Sequence, residues 1–456
     1  MSTEADWSPR LARAAGPHYL AIADAIEEDM RSGRLSVGTR LPPQRSLAAQ
    51  LGIDFTTVSR GYAEAARRGL VEGRVGQGTY VRAAAPPPRA PVDLSMNLPP
   101  HFDDPALTAR LWDEVATLRE GGLDLLLRYQ DPAGALRDRA AGAAWLAARL
   151  PKLDPETLVV TPGAQGGLLA VMAGLAQPGD AVCAEALTFP GFRALAAQAG
   201  LRLVPVLMDA QGMDPDAFAR ACREHAPKAL YCTPTLHNPT TATLPLERRQ
   251  AIVEIARRHG VTIVEDDAYA GLAPSAPPPM TALAPETAYH VAGLAKSVSP
   301  ALRIAYVASP SVRAAGRVRA AVRASAAMAS PLTAAIATRW IETGAAAAVT
   351  AALRAEAKAR HAIALRRLPS ELVQSAPDAF HLWLTLPEGW TRGEFVGRLG
   401  AAGVGVVPSD AFSLGAAPEA VRIGLGGPAS RADVERALGL VAALLEAAPQ
   451  VTASVV

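Results

Sequence analysis

The stretch "GLAKSVSPALRI" (residues 293–304) holds Lys296, one of only four lysines in the chain beside Lys152, Lys228 and Lys358. Arginine carries nearly all the remaining basic charge, since Lys+Arg total 45. Lys296 closely follows the apolar run "TAYHVAG" (287–293), and Ser and Pro punctuate the residues from there to Arg303. Just upstream, "VTIVEDDAY" (261–269) is a second apolar run that ends in Glu265, Asp266 and Asp267, with Tyr269 beyond. Short apolar runs bounded by turn residues read as buried strands. Five more occur: "TLVVT", "DAVCAEA", "LRLVPVL", "KALYCTP" and "LRIAYVAS". Ala/Leu/Arg-rich stretches of helical character separate them. Such alternation predicts an α/β fold, a mostly parallel seven-stranded sheet with helices on both faces.

In that fold ligands bind outside the carboxyl ends of the strands, where Lys296 and Asp266 both fall. A lysine partly desolvated beside a cation such as Arg303 loses basicity and becomes a nucleophile for aldehydes. A surface lysine following a strand is the plainer reading of the same residue. A carboxylate at a strand end, such as Asp266, can hold a pyridine nitrogen protonated. The acids could instead be solvated or bind metal, but no histidine cluster accompanies them. "TPTLHNPTT" (233–241) sets Asn238 before Pro239 at another strand end, which alone is an ordinary Asn-Pro turn. "TPGAQGGLLA" (161–170) follows a strand and opens a helix whose first N–H groups, around Ala164 and Gln165, suit a phosphate.

Outward from this core the chain changes character. "RAAAPPPRAP" (82–91) is a proline-rich seam that favours an extended spacer. It predicts an N-terminal domain over 1–82, a linker over 83–92 and a large domain over 93–456. In the first domain, Tyr19, Ile22, Ala23, Ile26 and Met30 form one apolar helical stripe. "QRSLAAQLG" is a short second helix closed by Gly52. A third starts at the N-cap Asp54 and buries Phe55 or Val58, with Tyr62 and Ala65. "LVEGRVGQGTYV" (70–81) alternates around glycines as two short strands. This is the element order of a winged helix-turn-helix. After about residue 330, helical patterns lead to "FHLWLTL", "AVRIGLG" and a last helix capped by Ser430 and Asp433, a smaller α+β lobe.

Half of the 456 residues are hydrophobic and the net charge is +2, which suits a globular chain without a general basic coat. Three cysteines show no metal spacing and fit a reducing compartment. The longest bland run, "GAAAAVTAAL", is too short to span a bilayer. A cytoplasmic protein with no membrane partner and no metal is expected.

The ordered set Gly163-Ala164-Gln165, Phe189-Pro190-Gly191, Asn238-Pro239, Asp266 with Tyr269, Lys296 with Arg303, and Arg422 resembles fold-type-I pyridoxal-phosphate aminotransferases over nearly the whole large domain. The resemblance implies that Lys296 is the Schiff-base lysine and that Asp266 pairs with the pyridine nitrogen. It implies that Tyr269 and Asn238 contact the ring hydroxyl and that Phe189 stacks on the ring. Arg303 and the backbone at Ala164 and Gln165 would hold the phosphate, and Arg422 a substrate carboxylate. Tyr129, in "RYQDPAG", would reach the partner subunit's phosphate, which implies a homodimer. Gly293, Ala295 and Thr241 depart from the family pattern, in which serines and a glycine are usual.

"LPPQRSLAAQLGIDFTTVSRGYAEAARRGLVEGRVGQGTYV" (41–81) resembles the GntR-type winged helix. By that match Arg45, Thr56, Thr57, Ser59 and Arg60 face double-stranded DNA, with Gly78 at the wing tip. Phe55 stands where the family commonly has arginine. The joined pair resembles the MocR-type regulators. This implies a DNA-binding transcriptional regulator that senses an amine or amino acid by aldimine exchange at Lys296. An active aminotransferase carrying a DNA-binding domain, and a large domain that only dimerises, are the other readings.

Overall fold

The computed structural model describes residues 7–9, 17–74, 77–82 and 91–447. The chain divides into two compact units, Met1–Ala90 and Pro91–Val456. Residues 83–90, most of the proline-rich linker, lie outside the described residues, as do residues 75 and 76 between the two short strands.

The first unit contains α1 (His18–Arg31), α2 (Gln44–Leu51), α3 (Phe55–Arg67), β1 (Val71–Arg74) and β2 (Gly78–Val81). Ile22, Ala23 and Ile26 are fully buried, whereas Tyr19 and Met30 flank the stripe half-buried. They meet Val58, Tyr62 and Ala65 of α3 in one core. The choice left open at the start of α3 falls to Val58, which is 0 % exposed, while Phe55 is 43 % exposed. Asp54 caps α3 by accepting from the Thr56 N–H at 2.7 Å. Gly52 ends α2 with φ of 63°, a left-handed conformation that costs glycine little. Gly61 sits at the α1–α3 crossing, where a Cβ would lie 2.9 Å from Ile22 Cβ. β1 and β2 pair antiparallel as the wing.

The second unit is built on β3 (Leu158–Thr161), β4 (Ala181–Glu185), β5 (Arg202–Val206), β6 (Ala229–Cys232), β7 (Thr262–Asp266), β8 (Ala288–Gly293) and β9 (Ala305–Ala308). These are the seven apolar runs read from the sequence. They hydrogen-bond in the order β3-β9-β8-β7-β6-β4-β5. β9 runs antiparallel to both its neighbours, and every other pair is parallel. All residues of β3, β4, β6, β8 and β9 are buried, because packed layers cover both faces of the sheet.

A second, four-stranded sheet joins β10 (Val373–Ser375), β11 (His381–Thr385), β12 (Val407–Pro408) and β13 (Ala420–Gly424) in the antiparallel order β10-β11-β13-β12. The helix Ala345–Arg367 spans the two cores: Ala346, Val349 and Leu353 pack with the large sheet, Ile363 and Ala364 with the small lobe. The small-lobe core therefore begins well past residue 330, and it also takes in Val92 and Leu94. Val92–Asp93 pairs with Val404–Gly405, so the last residue of the expected linker and the first of the large domain are stitched into this lobe. The segment then runs along Gly424 and Gly426, where a Cβ would meet Met96 O at 2.6 Å and Leu98 O at 1.7 Å. Only glycine allows that approach. Ser430 caps the last helix as expected, accepting from the Asp433 N–H at 3.1 Å while its hydroxyl donates to Asp433 Oδ2. Among the described residues no helix is long and apolar enough to cross a membrane.

Candidate functional site

Four chain segments leave the large sheet side by side: Thr161 into the helix Gly163–Leu175, Cys232 towards Asn238, Asp266 towards Tyr269, and Gly293 towards Lys296. Between them and the segment 96–98 lies a cavity of about 430 Å3. Ala164, Gln165, Phe189, Asn238, Asp266, Tyr269, Lys296, Arg303 and Arg422 all line it. Tyr129 does not; its side chain is 86 % exposed on the surface.

The Lys296 ammonium donates to the backbone carbonyl of Asn97. Burial, helped by the positive charges of Arg422 and Arg303, lowers its pKa to about 8, and Asp266 partly opposes this. Arg422 is thus a stronger cationic influence than Arg303, the cation expected from the sequence. At neutral pH roughly a tenth of such an amine is unprotonated, against well under a hundredth for an ordinary lysine.

Asp266 is one of three consecutive buried acids, none of them solvated. Successive side chains on a strand point to opposite faces. Glu265 accepts from the Thr281 N–H and hydroxyl at 2.9 and 2.8 Å and lies 3.7 Å from Arg249. Asp267 pairs with Arg149 at 3.2 Å. Asp266 turns to the cavity instead, where its Oδ2 accepts from the Tyr231 hydroxyl at 2.9 Å. Its Oδ1 is buried without a partner. Burial raises the Asp266 pKa to about 6, against the lowering effect of the Tyr231 bond. Tyr231 stacks on Phe192 with ring centroids 3.7 Å apart, and burial pushes its phenol well above the ordinary range, so it remains a donor.

Arg303 has φ of 52°, and its guanidinium lies over Gly163, where a Cβ would fall 2.9 Å from Nη2. The first N–H groups of the helix Gly163–Leu175 have no intrahelical acceptors, so this corner is an anion cradle. Gln165 Nε2 donates to Gly191 O at 2.7 Å, tying the cradle to the turn that carries Phe189.

Arg422 is 7 % exposed. Its Nη1 donates to Asn238 Oδ1 at 3.0 Å and its Nη2 to Ser95 O at 2.5 Å, while Nε has no partner. The guanidinium lies 5.0 Å from the centroid of the Phe412 ring. Tyr269 OH accepts from Asn97 Nδ2 at 2.8 Å. Asn97, Ser95 and Tyr231 escaped the sequence reading. Tyr231 is indistinguishable from core within an apolar strand, and "SMNLPP" (95–100) carries no signal linking it to residues far along the chain.

On the first unit, Arg45, Thr56, Arg60 and Gly78 are exposed and Thr57 and Ser59 half-buried. Arg45, Phe55 and Gly78 border one depression between α2, α3 and the wing. The Arg45 guanidinium lies 5.9 Å from the Phe55 ring centroid. The Thr56 hydroxyl donates to Asp54, and Arg60 lies 4.6 Å from the Tyr19 ring centroid, so both also have partners within the unit.

These two arrangements have counterparts. Residues 90–439 match the family Aminotransferase class I and II, and residues 18–81 match Bacterial regulatory proteins, gntR family. The uncharacterized HTH-type transcriptional regulator YdeF of Bacillus subtilis (strain 168) is 27% identical over 96% of this chain and 97% of its own length. The vitamin B6 salvage pathway transcriptional repressor PtsJ of Salmonella typhimurium is 30% identical over 64% of this chain and 68% of its own. The α-aminoadipate aminotransferase LysN of Thermus thermophilus, solved with N-(5'-phosphopyridoxyl)-L-leucine, superposes with a TM-score of 0.70. That match covers 78% of this chain and 92% of the other at 22% identity, and so speaks to fold alone.

The chain belongs to the aminotransferase class I and II family and carries a GntR helix-turn-helix ahead of it, the arrangement of MocR-type regulators. It is a DNA-binding regulator with a pyridoxal-phosphate-type domain. The residues present fit that cofactor: an orphaned, buried Asp266 oxygen, an anion cradle at Gly163 and Arg303, and a lysine of lowered basicity line one cavity.

Proposed function

We propose that this protein regulates transcription by sensing an amine or amino acid at Lys296 of a cofactor-loaded pocket. The observation that carries the reading is the partnerless Asp266 Oδ1 in the same cavity as Lys296. When bound, pyridoxal phosphate supplies an aldehyde that condenses with primary amines and a protonated ring that draws electrons. Asp266 would hold the ring nitrogen's proton, with Tyr231 fixing the carboxylate. Phe189 would cover the ring face, and Tyr269 and Asn238 would meet its hydroxyl. Arg303 and the N–H groups of Ala164 and Gln165 would hold the phosphate, and Arg422 the carboxylate of an incoming amino acid. Tyr129 is assigned to the phosphate of a partner subunit in a homodimer. On the DNA side, Arg45, Thr56, Thr57, Ser59 and Arg60 would meet an operator, with Gly78 at the wing. Coupling the two sites requires an affinity difference between states of about 1–3 kcal/mol.

Titrating the purified protein with a panel of amines should move its visible absorbance band for one class of amine, and Lys296→Ala should abolish the response. A variant that kept the same band would overturn the assignment. The reading also sets a pH dependence. Because the neutral amine is the nucleophile and its pKa is about 8, capture of pyridoxal phosphate by cofactor-free protein should speed up about tenfold per pH unit below that value. It should level off above it, which stopped-flow absorbance measures.

A second reading, an active aminotransferase with a DNA-binding domain, draws support from the free Nε of buried Arg422. It requires repeated turnover when a keto acid is added, whereas a sensor stops after a single spectral change.

A further inference from the structure

We infer that the ligand sensed in this pocket is an α-amino acid with one carboxylate and an uncharged, apolar side chain. The inference rests on the roles proposed for Lys296 and Arg422 and goes further, to the chemistry of the rest of the ligand.

Among the described residues of one subunit, the charged side chains lining the cavity are Lys296, Arg303, Arg422 and Asp266. Arg303 lies against the helix terminus at Gly163, on the anion-cradle side. Asp266 lies at the end of β7, tied to Tyr231. That leaves Arg422, whose buried Nε donor lacks a partner. An unsatisfied guanidinium donor is costly in a buried site, and a carboxylate satisfies it with charge assistance. One such donor group serves one carboxylate. Among the described residues of one subunit, no further cation lines the cavity for a second carboxylate and no further acid for a second amine.

The surface beside Arg422 is apolar. Phe412 lies under the guanidinium, and Met96, Leu98 and Val407 line the same cavity. Met96 is 53 % exposed and Leu98 36 % exposed, so an apolar side chain seated here would cover surface that water now wets. A charged group in that place would be desolvated without a counter-charge. Met96 and Leu98 belong to the segment whose Ser95 and Asn97 carbonyls accept from Arg422 and Lys296. The same few residues therefore touch the carboxylate clamp, the reactive amine and the side-chain wall, and they directly follow the linker from the DNA-binding unit.

The test is an absorbance titration of the cofactor-loaded full chain with leucine, methionine, alanine, glutamate, lysine and putrescine. Each buried methylene is worth about a fourfold gain in affinity, so leucine and methionine should bind at least about tenfold more tightly than alanine. Glutamate and lysine should be at least about tenfold weaker than leucine, and putrescine, lacking a carboxylate, weaker still. In Met96→Glu, a change at a half-exposed side chain, leucine should weaken and lysine strengthen relative to the parent. Glutamate, lysine or putrescine binding as tightly as leucine would overturn the inference while leaving the sensing role of Lys296 intact. So would a leucine-to-lysine ratio unchanged in Met96→Glu. A band that no amine moves would instead sink the sensing role itself, and this inference with it.

Discussion

Asp266→Asn is expected to weaken pyridoxal phosphate binding by roughly two orders of magnitude or more. Asp266 is 5 % exposed, its Oδ1 lacks a protein partner, and its Oδ2 is held by Tyr231. Removing one member of a buried, hydrogen-bonded charge pair costs about 2–5 kcal/mol, and each 1.4 kcal/mol is about tenfold in affinity. Equilibrium binding followed by cofactor fluorescence measures the loss without reference to any activity. Tyr231→Phe should give a smaller loss with a distinctive pH profile. Burial already holds the carboxyl near a pKa of about 6, and the Tyr231 bond pulls it down. Without that bond the pKa rises, so more of the carboxyl is protonated at pH 6 than at pH 8, and the defect should be larger at the lower pH. If Asp266→Asn bound the cofactor within about threefold of the parent, the carboxylate would not be the ring's partner.

Arg249→Met should produce the largest loss of stability. Arg249 is 0 % exposed and sits behind the site. Its Nε donates to Leu244 O at 2.9 Å, and its Nη2 donates to Pro234 O and the Thr235 hydroxyl, each at 2.9 Å. Nη1 donates to Pro278 O at 3.2 Å and lies 3.7 Å from Glu265 Oε1. The side chain thereby pins the segment 234–244 that carries Asn238. Removing the guanidinium leaves the buried carbonyls of Leu244 and Pro278 without this donor, while Glu265 keeps the Thr281 bonds and His290 at 3.6 Å. Each buried group left unpaired costs about 1–3 kcal/mol, a large share of the roughly 5–15 kcal/mol that holds a domain folded. Adding Glu265→Gln should recover the smaller part of the loss that comes from Glu265 losing one of the two cationic neighbours Arg249 and His290, a coupling that a double-mutant cycle in urea resolves. Unfolding of Arg249→Met within about 0.5 kcal/mol of the parent would show that the network contributes little.

Much of this molecule was legible because burial leaves a mark on sequence. A strand covered on both faces reads as a nearly continuous apolar run, and five of the seven strands in the large sheet are buried at every residue. Caps were legible too, because Asp54 and Ser430 satisfy N–H groups only a few residues away. The sheet's polarity led directly to Lys296 and Asp266, since residues just past parallel strands gather at one edge. Tyr231 was hidden by the same rule that revealed its strand: it reads as one more core residue, yet its hydroxyl holds Asp266. At the start of α3 the apolar pattern admitted either Phe55 or Val58, and only the packing against α1 left Phe55 exposed.

From the residues alone came the two-part organisation, the sheet, and a lysine and an aspartate at strand ends. These depend on local periodicity, capping and apolar runs, whose causes lie within a few positions of each other. The folded chain alone decided that Arg422 outweighs Arg303 beside Lys296, that Asn97 and Ser95 supply the acceptors for those two cations, and that Met96 and Leu98 form the pocket's apolar wall. Such contacts join residues hundreds of positions apart, and Coulomb and hydrogen-bond energies follow distance in space, which no local pattern encodes.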